Sequence, residues 1–254
     1  MTQFSEQDLS CDALLGGRLH LFQPQKGYRA GVDPVFLAAS IPARSGQQVL
    51  ELGCGAGAAI LSLAARVPDL ALFGVEIQPA YAALARRNAA HNGYALEVVG
   101  GDLANLSAPL RDAQFDYVLA NPPYFRGGAH SPAADPGRRK ALGEETPLDL
   151  WFDAGARRLR PRGYLHMIQR VERLPEMISA CADRLGSLEV LPLAPRIGRA
   201  PDLIILRARK GGKADFRLHA PLILHAGARH ERDGESYRPE IQDVLRNGAA
   251  LCWP

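Results

Sequence analysis

Asn121-Pro122-Pro123-Tyr124 follows Phe115-Asp116-Tyr117-Val118-Leu119-Ala120, an apolar run that reads as a buried strand. Two consecutive prolines continue neither a strand nor a helix. The chain must therefore leave the sheet at that strand's carboxyl end, where open α/β sheets bind ligands. An amide side chain, the Pro122 carbonyl and an aromatic ring arrive there together. Asn121 and the Pro122 carbonyl offer acceptors for both hydrogens of a planar NH2 group. Tyr124 offers a face on which the plane carrying that group can stack. A plain Pro-rich turn would show the same residues, so the reading depends on what lies upstream.

Upstream, Gln47-Gln48-Val49-Leu50-Glu51-Leu52 reads as a strand that runs into Gly53-Cys54-Gly55-Ala56-Gly57 and then an apolar helix over residues 58–66. Glycines between strand and helix let the backbone approach a ligand and aim free helix N–H groups at it. The spacing is GxGxG, not the GxGxxG of dinucleotide-binding loops. The next strand, Ala71-Leu72-Phe73-Gly74-Val75, ends in Glu76, where a carboxylate can accept both hydroxyls of an adenosine ribose. Leu96-Glu97-Val98-Val99 is a further strand, and Asp102 just beyond it stands where an adenine amine needs an acceptor. Each acid alone is equally well a solvated strand end. Together, one strand apart, Glu76 and Asp102 outline a nucleoside pocket.

These residues need a sheet to hold them. Helices are expected over residues 79–92, 148–159 and 174–185, with strands at Tyr164-Leu165-His166-Met167-Ile168, Leu188-Glu189-Val190-Leu191 and Leu203-Ile204-Ile205-Leu206. Pro161-Arg162-Gly163 reads as the stop after the second of those helices. The alternation specifies an α/β doubly wound sheet. Residues 1–17 read as loosely held. Arg18-Leu19-His20-Leu21-Phe22-Gln23 reads as a strand with Tyr28-Arg29-Ala30 as its hairpin partner. Asp33-Pro34 reads as a helix start, with Asp33 as its N-cap. Leu222-Ile223-Leu224 and residues 239–245 suggest a last short strand and helix. The division expected is an N-terminal strap, hairpin and helix over residues 1–40 and a main domain of residues 41–254 that includes a C-terminal extension.

The formal net charge of +3 is too small to argue a nucleic-acid partner by itself. Its distribution says more. Arg196, Arg199, Arg207, Arg209, Lys210, Lys213 and Arg217 face only Asp202 and Asp215 in the same stretch, which invites a phosphate partner. Arg138-Arg139-Lys140 lies on a long loop, residues 125–146, that starts at the proline turn. The cysteines Cys11, Cys54, Cys181 and Cys252 are scattered and form no CxxC pair, so a metal site is not expected. No apolar run reaches membrane-spanning length, and the first residues lack a secretory pattern. The expectation is a cytoplasmic protein without membrane or metal partners.

Taken in order, these motifs resemble those of class I S-adenosylmethionine-dependent methyltransferases. Gln23-Pro24-Gln25-Lys26-Gly27-Tyr28-Arg29-Ala30-Gly31-Val32-Asp33 resembles the N-terminal signature of the bacterial tRNA1(Val) adenine-37 N6-methyltransferase family. Arg209-Lys210-Gly211-Gly212-Lys213, Ala220-Pro221-Leu222 and Ser236-Tyr237 resemble that family's carboxyl end. The chain departs from it at Ala141-Leu142-Gly143-Glu144, where many members carry Ala-Arg-His-Glu. The resemblance implies a Rossmann-like sheet of about seven strands and S-adenosylmethionine as cofactor, held by Gly53, Gly55, Gly57, Glu76, Asp102 and Asn121. It implies Asn121, Pro122 and Tyr124 as catalytic residues, and transfer to adenine N6 in tRNA. Tyr124, Arg138, Arg139 and Lys140 are the expected substrate contacts. Rival readings are a protein glutamine N5-methylase, a guanine N2 methylase of RNA, and a non-catalytic RNA-binding protein.

Overall fold

The computed structural model describes residues 4–124, 146–227 and 236–253. The chain opens on an antiparallel hairpin, β1 (Leu9–Leu14) and β2 (Leu19–Pro24), followed by α1 (Asp33–Ala39). The alternating body is β3 (Gln48–Leu52), α2 (Ala58–Arg66), β4 (Ala71–Glu76), α3 (Pro79–His91), β5 (Leu96–Gly100), α4 (Ala108–Asp112) and β6 (Phe115–Ala120). It continues with α5 (Leu148–Arg158), β7 (Leu159–Arg170), α6 (Leu174–Cys181), β8 (Gly186–Ala194) and β9 (Leu203–Arg209). Short strands β10 (Arg217–Leu218) and β11 (Leu222–Ile223) and the turn of helix α7 (Pro239–Gln242) close it.

The main sheet has the order β10-β8-β9-β7-β6-β3-β4-β5, with β11 also on β8. Only β9 runs antiparallel to its neighbours, β7 and β8. This is the α/β doubly wound sheet expected from the alternation. Parallel strands are covered on both faces, so they read as continuous apolar runs. In β6, Leu119 packs into one core with Phe36, Ile60 and Ile168, while Val118 and Ala120 pack into the other with Phe152, Leu165 and Met177. That alternation is the period-two pleat of a strand buried on both sides.

Three local expectations are corrected. Of residues 1–17, expected to be loose, the described ones, 4–17, are not: Leu9–Leu14 is a strand, Leu15 is buried, and Arg87 grips Glu6 with both terminal nitrogens at 2.6 and 2.9 Å. Consequently the partner of β2 is the strand before it, not Tyr28-Arg29-Ala30. Pro161-Arg162-Gly163 does not precede the strand but lies inside it. Arg162 takes φ +70° there, and the pairing with β6 shifts register between Phe115 and Tyr117, so a bulge absorbs the proline.

Helix α3 carries the hairpin. The Asn88 side-chain amide accepts from the Phe22 N–H at 2.8 Å and donates to the Phe22 carbonyl at 3.0 Å. Asn92, one turn on, does the same with His20 at 2.9 and 2.7 Å. Two side-chain amides thus stand in for a neighbouring strand on β2. Asn88 also donates to the Ala56 carbonyl at 2.9 Å, which ties the hairpin to the glycine loop.

Candidate active site

Strand β3 has β4 on one side and β6 on the other. The chain reverses its direction of winding there, which opens a crevice at the strands' carboxyl ends. A cavity of about 330 Å³ fills it, within the range of small-molecule sites. Its walls include Gly53, Gly55, Glu76, Asp102, Asn121, Pro122 and Tyr124. Of the cofactor residues expected from sequence, Gly57 alone stays out of that wall. It caps α2 with φ +86°, where a side chain would press on Leu61 at 3.2 Å. Gly53, at φ +61°, lies under Trp151, and a Cβ there would stand 2.5 Å from the indole. The glycine is therefore required by packing as well as by backbone conformation.

Glu76 is 5% exposed. Its carboxylate accepts from the Gly55 N–H at 2.9 Å and the Gln78 N–H at 2.8 Å. Burial lifts its pKa above the ordinary range, against the pull of those amides. One carboxylate thus shapes the glycine loop and still presents lone pairs to the cavity. Glu51, 3% exposed in β3, accepts from the Ile60 N–H at 3.0 Å. Burial pushes its carboxyl well up, and Glu76 adds to the push. Asp102 is exposed on the cavity rim and accepts from the Ala104 N–H at 2.9 Å.

The proline turn is held from two sides. Gln169, fully buried in β7, donates to the Pro122 carbonyl at 3.3 Å and to the Pro123 carbonyl at 3.4 Å. A carbonyl has two lone pairs, so Pro122 keeps one acceptor direction for a ligand. From the other side, Asn121 donates its Nδ2 to the Tyr28 hydroxyl at 3.4 Å, and the Tyr124 hydroxyl donates to Asp33 Oδ2 at 2.7 Å. Asp33 therefore does not cap α1. Val32 is the N-cap, no side chain caps the first turn, and the Asp33 carboxylate turns into the cavity. Pro34 at the helix start removes one of the N–H groups a cap would serve. Although Tyr28 is 44% exposed as a residue, its hydroxyl end is desolvated beside Asp33 and Glu51, which pushes its ionisation up. Burial and the Asp33 carboxylate do the same for Tyr124.

Glu51, Trp151, Gln169 and Tyr28 were given no site role from sequence, although Tyr28 lies within the Gln23 to Asp33 signature. A carboxylate in an otherwise apolar strand just before a glycine loop marks Glu51. Nothing local marks Trp151 or Gln169, which read as core positions of a helix and a strand.

The basic stretch expected to face a phosphate partner is divided by the sheet. Leu203 pairs with Arg170 at the carboxyl end of β7, whereas Arg209 pairs with Tyr164 near its start. Arg196 and Arg199 thus lie at the crevice edge, and Arg209, Lys210 and Lys213 at the opposite edge. Several are engaged internally: Arg207 with Glu189 at 2.8 Å and over the Trp253 ring, Lys210 with the Leu159 carbonyl at 2.7 Å, and Arg196 with Ser236 at 2.9 Å. Arg170 and Arg199 are exposed at the crevice edge and make no ion pair among the described residues. Arg138, Arg139 and Lys140 lie outside the described residues.

Residues 30–136 match the methyltransferase small domain family. A tRNA1(Val) (adenine(37)-N6)-methyltransferase of Porphyromonas gingivalis is 36% identical over 207 residues, 78% of each chain. Among solved structures, a predicted O-methyltransferase from Agrobacterium tumefaciens superposes with a TM-score of 0.68 at 27% identity, over 86% of this chain and 98% of that one. A Thermus thermophilus 16S rRNA N2 G1207 methyltransferase, solved with AdoMet and guanosine, has the same fold at a TM-score of 0.55 and 20% identity, over 80% and 50% of the two chains.

Proposed function

This chain belongs to the tRNA1(Val) (adenine(37)-N6)-methyltransferase family, and we propose that its crevice transfers a methyl group to N6 of an adenine in tRNA. It is an S-adenosylmethionine-dependent N-methyltransferase. The observation that carries the reading is the proline turn. Asn121 and the Pro122 carbonyl stand on the wall of the same cavity as Gly53, Gly55 and Glu76.

The cavity residues suit the cofactor. Glu76 would take ribose hydroxyls, Asp102 the adenine amine, and the open backbone at Gly53 and Gly55 the methionine portion. S-adenosylmethionine supplies a methyl group already activated on sulfonium. The acceptor amine is a poor nucleophile because its lone pair is delocalised into the base. Asn121 Oδ1 and the Pro122 carbonyl would accept its two hydrogens and draw the nitrogen towards a tetrahedral shape. Those bonds strengthen as positive charge grows on nitrogen, so they favour the transition state over the ground state. The product sheds its proton readily, so the turn needs acceptors and no strong base. Tyr124 would stack on the extruded base, worth about 1–3 kcal/mol. A base in an RNA loop is already poorly paired, which lowers the cost of extrusion. Arg170 and Arg199 at the crevice edge would meet phosphates on either side of it.

The test is methylation of tRNA isolated from cells lacking the gene, with labelled S-adenosylmethionine followed by nucleoside analysis. Label in N6-methyladenosine is the expected result. Label in N2-methylguanosine, or in a protein glutamine, would hand the site to one of the rival substrates.

A further inference from the structure

The geometry points to the N-terminal strap as the device that sets both working side chains of the proline turn, with Asp33 as positioning residue for Tyr124 and Tyr28 for Asn121. The inference rests on the reading of Asn121 and Tyr124 as the amine-methylating pair.

Start with the amide. Asn121 has one face that accepts and one that donates, and only the accepting face can serve a substrate N–H. Its Nδ2 is directed to the Tyr28 hydroxyl at 3.4 Å. The Asp33 and Glu51 carboxylates lie close enough to draw that hydroxyl's proton towards them, so its lone pair receives Nδ2 and leaves Asn121 Oδ1 for the substrate. Without it, the two amide orientations differ little and part of the population presents NH2 to NH2.

The ring is fixed in a comparable way. Tyr124 ends the described turn, and its Pro-Pro backbone limits only what precedes it. Its hydroxyl donates to Asp33 Oδ2 at 2.7 Å, a short bond to a charged acceptor. Fixing the para position fixes the tilt of the ring face offered for stacking.

The strap is itself stiff enough to serve as a reference. The Tyr28 carbonyl accepts from the Tyr81 hydroxyl of α3 at 3.1 Å. Gln23 accepts from the Ala30 N–H at 2.7 Å, and Arg29 is paired with Asp12 of β1 at 2.6 Å. The hairpin stands on α3 through Asn88 and Asn92. Because Asn88 also reaches the glycine loop, strap, cofactor loop and proline turn share one frame. Pre-arranged groups of this kind cost no reorganisation at the moment of reaction.

The test compares Asp33→Ala, Tyr124→Phe, the double variant, Asp33→Asn and Tyr28→Phe as full chains with matched thermal midpoints. Methylation of tRNA is measured at saturating S-adenosylmethionine. Asp33→Ala and Tyr124→Phe should each lower kcat about tenfold, and the pair together no further than the worse single variant. Asp33→Asn keeps an acceptor and should recover most of the loss. Tyr28→Phe should lower kcat with little change in KM. Independently of any substrate, protein labelled with carbon-13 at tyrosine Cζ gives a Tyr124 resonance identified by its loss in Tyr124→Phe. That resonance should move in Asp33→Ala. Multiplicative losses in the double variant or an unmoved resonance would overturn the Asp33 arm, and an unchanged kcat in Tyr28→Phe the Tyr28 arm. If the wild-type chain methylates no tRNA, the substrate reading fails and the resonance alone decides the positioning claim.

Discussion

Replacing Glu76 by alanine should weaken S-adenosylmethionine binding by about 10- to 150-fold. The carboxylate has roughly four lone-pair directions, and the Gly55 and Gln78 amides occupy one on each oxygen. The Ile77 N–H also lies close enough to pull on the carboxylate, and the lone-pair directions left open would take the ribose hydroxyls. Losing hydrogen bonds to a charged group costs about 1.5–3 kcal/mol, which converts to that range of affinity. Glu76→Gln keeps one neutral acceptor and should fall between wild type and alanine. The same group predicts a pH dependence. Burial raises its folded pKa above the ordinary 4.5. Below 4.5 the carboxyl is neutral folded and unfolded, so it adds no penalty. As pH rises from 4.5 through the folded pKa, the unfolded chain ionises first, and stability of the unligated protein falls. Ribose hydroxyls favour the ionised form, so binding in that window releases protons, and affinity rises with pH before levelling off. Calorimetry in buffers of different ionisation heats reads the affinity and the proton release together. Glu76→Ala should lose both the affinity and the Glu76 share of the proton release. Unchanged affinity in a folded Glu76→Ala variant would refute the assignment.

Other expectations follow from the turn and the crevice edge. Asn121→Ala should lower kcat on the order of a hundredfold, as loss of a transition-state hydrogen-bonding group does. Its S-adenosylmethionine affinity should stay within about twofold of wild type, and a loss confined to affinity would make Asn121 a structural residue. Gln169→Leu removes the donor from the Pro122 and Pro123 carbonyls. It should destabilise the protein by about 1–3 kcal/mol in urea unfolding, the cost of buried acceptors left unpaired. Arg170→Ala with Arg199→Ala should weaken tRNA binding and flatten its salt dependence by up to roughly 0.7–0.9 log units per lost phosphate contact. Arg209→Ala with Lys213→Ala, at the opposite sheet edge, is the control that should leave the slope unchanged.

The fold was legible where burial on both faces writes itself into sequence. Strands β3, β4 and β6 are mostly apolar runs; the glycine loop follows β3 and the proline turn follows β6 directly, while Glu76 ends β4. Local rules of that kind also place Asp102, because it sits two residues past the end of β5. They fail where a residue's partner is remote. Pro161-Arg162-Gly163 has every local mark of a break, yet β6 pairs on both sides of it, and Lys210, just past β9, exchanges backbone hydrogen bonds with Arg162 and Gly163. The basic stretch looks like one surface along the chain, but β9 runs antiparallel and sends its two ends to opposite edges.

The strap is the clearest case. The short alternation of Leu9–Leu14 does not announce its inner face, because Cys11 and Ala13 are exposed while Ser10 and Asp12 are half-buried; among the described residues no third strand pairs with it, and its burial depends on docking. That docking is done by Asn88 and Asn92, residues that read as the polar end of a helix. Asp33 shows the same limit. Beside Pro34, a local rule assigns it to the helix start, and the assignment is chemically sound. A tyrosine far along the chain supplies a donor at 2.7 Å instead, and a charged hydrogen bond inside a crevice outweighs the roughly 1 kcal/mol of a cap that proline has already made partly redundant. The capping preference is a statement about the helix alone. In this fold α1 begins at a ligand crevice, so its first acid answers to the crevice.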